Sequence, residues 1–158
     1  KTTTLLRTIE MLKEKYKIGV MEADIEAEVD ARKMEQAGVG TIQVHTGGEC
    51  AMDASMTKRA LDELEGSQYD LLFLENVGNL VCTAEQDVGA SVNVEILSIP
   101  EGDDKPLKYP LMFEVCQCIL IIKTVTRDYF AFDDAKVKER ILSRIPKAKL
   151  FFISAKTG

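Results

Sequence analysis

The strongest constraint on the fold is a set of short apolar runs that each stop at polar residues. Leu71-Leu72-Phe73-Leu74 runs straight into Glu75-Asn76. An apolar run without alternation suits a strand buried on both faces, as in a parallel sheet. Lys17-Ile18-Gly19-Val20-Met21 behaves similarly and ends at Glu22-Ala23-Asp24. Further strands are expected at Thr41 to Val44, Val92 to Ile99, Ile119 to Lys123 and Leu150 to Ile153. Between them lie stretches of helical periodicity. Thr2 to Tyr16 carries Leu5, Ile9 and Leu12 on one stripe, and Asp30 to Gln36 stops at Gly38, a C-terminal cap. Asp53 to Leu64 and Asp133 to Ile145 complete the helices. Strands alternating with helices predict an α/β fold, a mostly parallel sheet flanked by helices. The 158 residues suit a single domain over 1–158, with no internal repeat, linker or low-complexity segment.

Composition narrows the partners. A net charge of -6 argues against nucleic acid, whose phosphates want a basic surface. No apolar run reaches the roughly 18 residues of a membrane span. The four cysteines, Cys50, Cys82, Cys116 and Cys118, form no CxxC pair, so neither a zinc ribbon nor a thioredoxin motif is indicated. Cys116 and Cys118 lie in an apolar stretch that suits packed free thiols, and a reducing, cytoplasmic setting is expected. The single histidine, His45, leaves little room for a Ser-His-Asp triad or a histidine-rich metal site. The chain opens at Lys1 without a methionine and stops at Gly158, so truncation at both ends is expected.

In parallel α/β sheets ligands bind outside the carboxyl ends of the strands. Asp24, Glu75, the run Glu101 to Asp104 and Ser154-Ala155-Lys156 all fall there. Lys1-Thr2-Thr3 opens a helix in the way a Walker A loop ends. That loop cradles phosphates on backbone amides, places a lysine on the β- and γ-phosphates and gives a hydroxyl to magnesium. Its glycines would precede Lys1. The plainer reading is a solvated helix start with good capping residues. Asp24 and Glu75 have the chemistry to hold magnesium or its water shell, and Gly78 would let a switch segment approach the γ-phosphate. Both acids are otherwise ordinary loop starts. Ser154-Ala155-Lys156 follows the last strand, although such a tripeptide is common on its own.

Several segments occur together and in order: Lys15 to Gly19 leading to Ala23-Asp24, Asp30 to Met34 before Gly38, and Thr46-Gly47-Gly48-Glu49-Cys50 leading to Met52-Asp53-Ala54. They continue with Leu71 to Cys82, reading LLFLENVGNLVC, and with Glu101-Gly102-Asp103-Asp104 before Lys108-Tyr109-Pro110. Over nearly the whole chain this series resembles the HypB family of hydrogenase nickel-incorporation GTPases, P-loop G domains of the SIMIBI class. Glu-Asn-Val-Gly-Asn-Leu-Val-Cys is its most specific part. The resemblance implies binding and slow hydrolysis of GTP with magnesium, and a nucleotide-dependent homodimer carrying nickel or zinc at its interface. It also implies work with a nickel-delivery protein and a hydrogenase large subunit. Lys1 and Thr2 match the phosphate lysine and magnesium hydroxyl, with Thr3 beside them. Asp24 and Glu75 match the switch-region acids, and Cys50 and Cys82 match metal thiolates. Lys123 and Ser154 to Lys156 match base-side loops.

Two departures bear on function. The family follows its first metal cysteine with histidine, whereas Cys50-Ala51-Met52-Asp53-Ala54-Ser55 contains none. Two cysteines from each of two chains would still make a four-thiolate site. His45 is a substitute imidazole five residues upstream, or simply a hydrogen-bonded surface or core residue. Guanine is read in such proteins by Asn-Lys-x-Asp, but the corresponding run here is Ile122-Lys123-Thr124-Val125, with Asp128 a few residues on. The alternatives are a diverged, catalytically weak nucleotide- and metal-binding paralogue, or a urease-type nickel accessory GTPase.

Overall fold

The structure, a computed structural model, describes residues 1–23, 34 and 36–157. Asp24 and most of the helix expected over Asp30 to Gln36 lie outside the described residues. The chain divides into two compact units, Lys1–Gly89 and Ala90–Gly158.

The first unit opens with α1 (Thr2–Leu12) and β1 (Ile18–Glu22), followed by β2 (Gly40–Gln43) and α2 (Ala54–Glu63). β3 (Leu71–Glu75) and the short α3 (Cys82–Glu85) complete it. The strands form a parallel sheet in the order β2-β1-β3. β1 is central and buried at all five positions, which is why it reads as continuously apolar before Glu22. Ile9, Ile18, Val20, Met34 and Val39 form the core, with Leu5, Leu12, Leu71 and Phe73 packed on it. The predicted stripe of α1 is therefore the buried one. The helix ends at Leu12 rather than Tyr16, because Lys15 N and Tyr16 N both donate to the Leu12 carbonyl in a closing turn. Residues 13 to 17 offer no aliphatic side chain to continue the stripe. α2 begins where Asp53 accepts a bond from Met56 N at 2.7 Å, a side-chain N-cap.

The second unit contains β4 (Val94–Ser98), two short helices α4 (Lys105–Lys108) and α5 (Pro110–Glu114), β5 (Cys118–Ile122), α6 (Asp134–Leu142) and β6 (Lys149–Phe152). Its parallel sheet has the order β4-β5-β6. Leu97, Ile119 and Ile121 of the sheet pack with Phe113, Val137 and Ile141 of the helices. Asp133 caps α6 through bonds from Ala135 N and Lys136 N, both 3.0 Å. The acidic run after β4 is occupied structurally. Glu101 closes a capping box with Ser98, Asp103 pairs with Arg140 at 2.7 Å, and Asp104 pairs with Lys108 at 2.6 Å. Cys116 is a buried free thiol, as its apolar context predicts, and burial pushes it up to about 12.

Candidate functional site

In the first unit, parallel register sets Glu75 level with Glu22 at the carboxyl ends of β3 and β1. The start of α1 meets this edge. Thr2 Oγ1 donates to Glu75 Oε1 at 3.3 Å, and Lys1 Nζ lies 3.9 Å from the same oxygen. Lys1 Nζ also donates to the Asn76 carbonyl at 2.7 Å. Lysine, hydroxyl and carboxylate thus converge from positions more than 70 residues apart, although Glu75 is only 9% exposed. Thr3 and Gly78 are exposed beside them along the chain, and a Cβ on Gly78 would meet nothing within 4 Å. Hydroxyl and carboxylate oxygens suit magnesium, a hard cation. An ammonium at a helix N-terminus suits phosphate oxygens, since the first turn presents N–H groups and positive dipole.

The structure also brings Cys50 and Cys82 together. Their sulfurs are joined in a disulfide across 32 residues, with a Cα–Cα distance of 6.0 Å. Two-electron reduction must release both thiols before either sulfur can take a metal. As thiolates they offer two soft ligands from one chain, a donor type that suits nickel or zinc. Cys50 is exposed and Cys82 half-buried, so both are open to reductants. His45 is exposed. No cluster of three His, Cys, Asp or Glu able to hold a metal occurs among the described residues.

Two asparagines given no role by sequence reasoning organise this edge. Asn76 Oδ1 accepts from Met52 N at 3.1 Å and Val77 N at 2.9 Å. Asn79 Oδ1 accepts from Val81 N at 2.9 Å and Cys82 N at 3.0 Å, which positions the start of α3. The available signal was asparagine's habit of bonding nearby main-chain N–H groups where a strand gives way to a loop.

In the second unit, the loops after β5 and β6 lie side by side, with Thr124 N donating to the Ile153 carbonyl at 3.3 Å. Lys123 is exposed in a left-handed conformation at φ 61°. Ile122 is 6% exposed, Val125 is half-exposed, and Asp128 is exposed on the 3-10 turn over Thr124–Tyr129. Ser154 is buried and receives a bond from Lys156 N at 3.2 Å, while Ala155 is half-buried and Lys156 exposed. The position that the resemblance matches to a base-reading aspartate is thus a half-exposed apolar side chain, Val125.

A parallel sheet with a carboxylate at a strand end, met there by a lysine and a hydroxyl from a helix start, has the makings of a nucleotide-binding α/β domain of the P-loop class. The chain belongs to the CobW/HypB/UreG nucleotide-binding domain family, whose model matches residues 1–152, and within it to the HypB branch. It is 43% identical over 158 residues to the hydrogenase/urease maturation factor HypB of Helicobacter hepaticus, covering 98% of this chain and 65% of that protein. Against the hydrogenase maturation factor HypB of Azotobacter chroococcum it is 42% identical, covering 100% and 52%. The chain thus spans roughly half to two thirds of these relatives' length. The crystal structure of HypB from Archaeoglobus fulgidus matches with a TM-score of 0.93 at 35% identity, covering 99% of this chain and 76% of that one. That of HypB from Helicobacter pylori in complex with nickel matches at 0.89 and 39%, covering 98% and 73%. The signal recognition particle receptor FtsY of Elizabethkingia anophelis shares the fold alone, at 0.63 and 14% identity over 95% of this chain and 53% of that one. Among the described residues no helix is long and apolar enough to cross a membrane.

Proposed function

We propose that the protein is a GTP-binding, slowly GTP-hydrolysing metallochaperone that assists nickel insertion during [NiFe]-hydrogenase maturation. The supporting observation is the meeting of Lys1, Thr2 and Glu75 at one sheet edge, in a chain whose relatives are hydrogenase maturation factors. Lys1 holds β- and γ-phosphate oxygens as a point charge, with Thr2 and Thr3 at the helix N-terminus beside it. Thr2 Oγ1 and Glu75, joined by Asp24, hold magnesium or its water shell. Bound magnesium supplies neutralisation of charge developing on the phosphates. Gly78 leaves room for the segment after β3 to approach the terminal phosphate. Lysine, hydroxyl and carboxylate supply positioning and charge rather than an evident strong general base, which fits slow turnover.

Residues 1–158 act in this reading as one domain, with Lys123, Ser154, Ala155 and Lys156 on the base side. Cys50 and Cys82, once reduced, take nickel or zinc as cargo, and two chains in a nucleotide-dependent homodimer complete the coordination. A nickel-delivery protein loads the site and the hydrogenase large subunit receives the metal. The setting is cytoplasmic, where Cys116 and Cys118 remain thiols and the Cys50–Cys82 pair is open to reduction.

Two specific observations support other readings. The apolar Val125 at the base-reading edge favours a diverged paralogue with weak guanine selection. The H. hepaticus relative is named for both hydrogenase and urease maturation, which favours a urease-type client. Calorimetric titration of GTP and ATP, each with magnesium, into the reduced full-length protein tests the main reading. Tighter GTP than ATP binding, with phosphate release from GTP, is expected. Equal or absent binding of both would move the assignment to the diverged module.

A further inference from the structure

Asn76 touches both halves of the candidate site. Its main-chain carbonyl accepts the Lys1 ammonium at 2.7 Å. Its side-chain oxygen accepts Met52 N at 3.1 Å, two residues beyond Cys50, and Val77 N at 2.9 Å. Glu75, the residue before it, bonds the Thr2 hydroxyl. Cys50 in turn is tied to Cys82, whose own N–H is held by Asn79. One side chain therefore links the loop that carries a thiol to the segment that holds the phosphate lysine.

We propose that Asn76 is a positioning residue that couples occupancy of the phosphate site to the geometry, and so the metal affinity, of the Cys50–Cys82 thiols. The inference rests on the nucleotide and metal reading above and adds to it the residue that joins the two sites. A bound triphosphate attracts the Lys1 ammonium toward its oxygens and weakens the charge-assisted bond to the Asn76 carbonyl. The peptide joining Asn76 to Val77 then turns more freely. Its movement is transmitted through Oδ1 to Met52 N, because that bond and the Val77 bond share one acceptor. The Met52 end moves Cys50 relative to Cys82. By linkage, metal held on the two thiols favours one arrangement of Asn76 and changes nucleotide affinity by the same factor.

The test uses reduced full-length protein and Ni2+ alone as the metal probe. Nickel affinity is measured with GDP and with a non-hydrolysable GTP analogue, in wild type, Asn76→Ala and Asn76→Asp. Wild-type affinity is expected to differ between nucleotides by about fivefold or more, the lower end of ordinary coupling. Asn76→Ala, which keeps the carbonyl but lacks the side-chain oxygen, should bring that ratio to about one while nickel still binds. Asn76→Asp keeps an acceptor for Met52 N and Val77 N and should retain the coupling. Maleimide reactivity of Cys50 and Cys82 with each nucleotide gives a metal-free readout, and circular dichroism checks folding. If Asn76→Ala does not fold, the aspartate variant decides, because lost coupling in a folded Asn76→Asp overturns the proposal. Coupling that survives Asn76→Ala overturns it as well. Wild type that binds both ligands without coupling also overturns it and leaves the functional reading intact. Wild type that binds no nucleotide overturns both, and this is seen before any variant is made.

Discussion

Asp103→Asn probes how the second unit is held together. Asp103 Oδ1 accepts Arg140 Nη1 at 2.7 Å, and Oδ2 accepts Asp133 N at 2.9 Å. Arg140 Nη1 also reaches the Asp103 carbonyl at 2.7 Å. The loop after β4 is thereby pinned to α6 at its N-cap and along its length. The two side chains are 19% and 25% exposed, so solvent screens the pair only in part. A hydrogen bond to a charged group contributes about 1.5–3 kcal/mol. Asparagine removes the charge and can satisfy only one of the two donors through its single oxygen. Allowing for partial exposure, the expected loss at neutral pH is about 2 kcal/mol, read as a shift in urea midpoint at constant m. The sign with pH follows from the carboxyl group. The Asp133 N–H, and after it the Arg140 bond, hold Asp103 below its ordinary 3.8 against opposing desolvation. Its stabilisation is therefore complete above pH 3.8 and is lost as pH falls through the lowered folded value. The difference between wild type and variant should shrink in that acid range, since a protonated aspartate is also neutral. A difference under about 0.5 kcal/mol at neutral pH, or one unchanged at pH 2, would refute the argument.

Other expectations are more direct. Phe113→Ala empties a fully buried position among Leu97, Ile119 and Ile141 and should cost about 3–5 kcal/mol in urea unfolding. After reduction, maleimide should label exposed Cys50 well before Cys116, whose buried thiol sits at about 12; equal rates would contradict the packing. Val125→Asp should raise the preference for GTP over ATP by roughly tenfold, the scale of one charged hydrogen bond, in the calorimetric titration.

Much of the fold was legible because burial leaves a local imprint. The unbroken apolar character of residues 18 to 21 reflects a central strand, and its expected end at a carboxylate is observed at Glu22. Helix starts were equally readable, since Asp53 and Asp133 bond main-chain N–H groups two or three residues away. The acidic run Glu101 to Asp104 was less informative. Three of its carboxylates find structural partners, and the Arg140 that binds Asp103 lies 37 residues along the chain.

The sequence by itself determined the periodic pattern of strands and helices and the placing of Glu75 at a strand end. It also carried the family resemblance through residues 71 to 82. Tertiary structure alone decided that Lys1 and Thr2 meet Glu75, that Cys50 reaches Cys82, and that Asn76 joins the two loops. Periodicity records which face of an element is buried, because that depends on residues a few positions apart. Contacts over 32 or 73 residues depend on the parallel register of β1 with β3 and on where the intervening loops return, which no local pattern encodes.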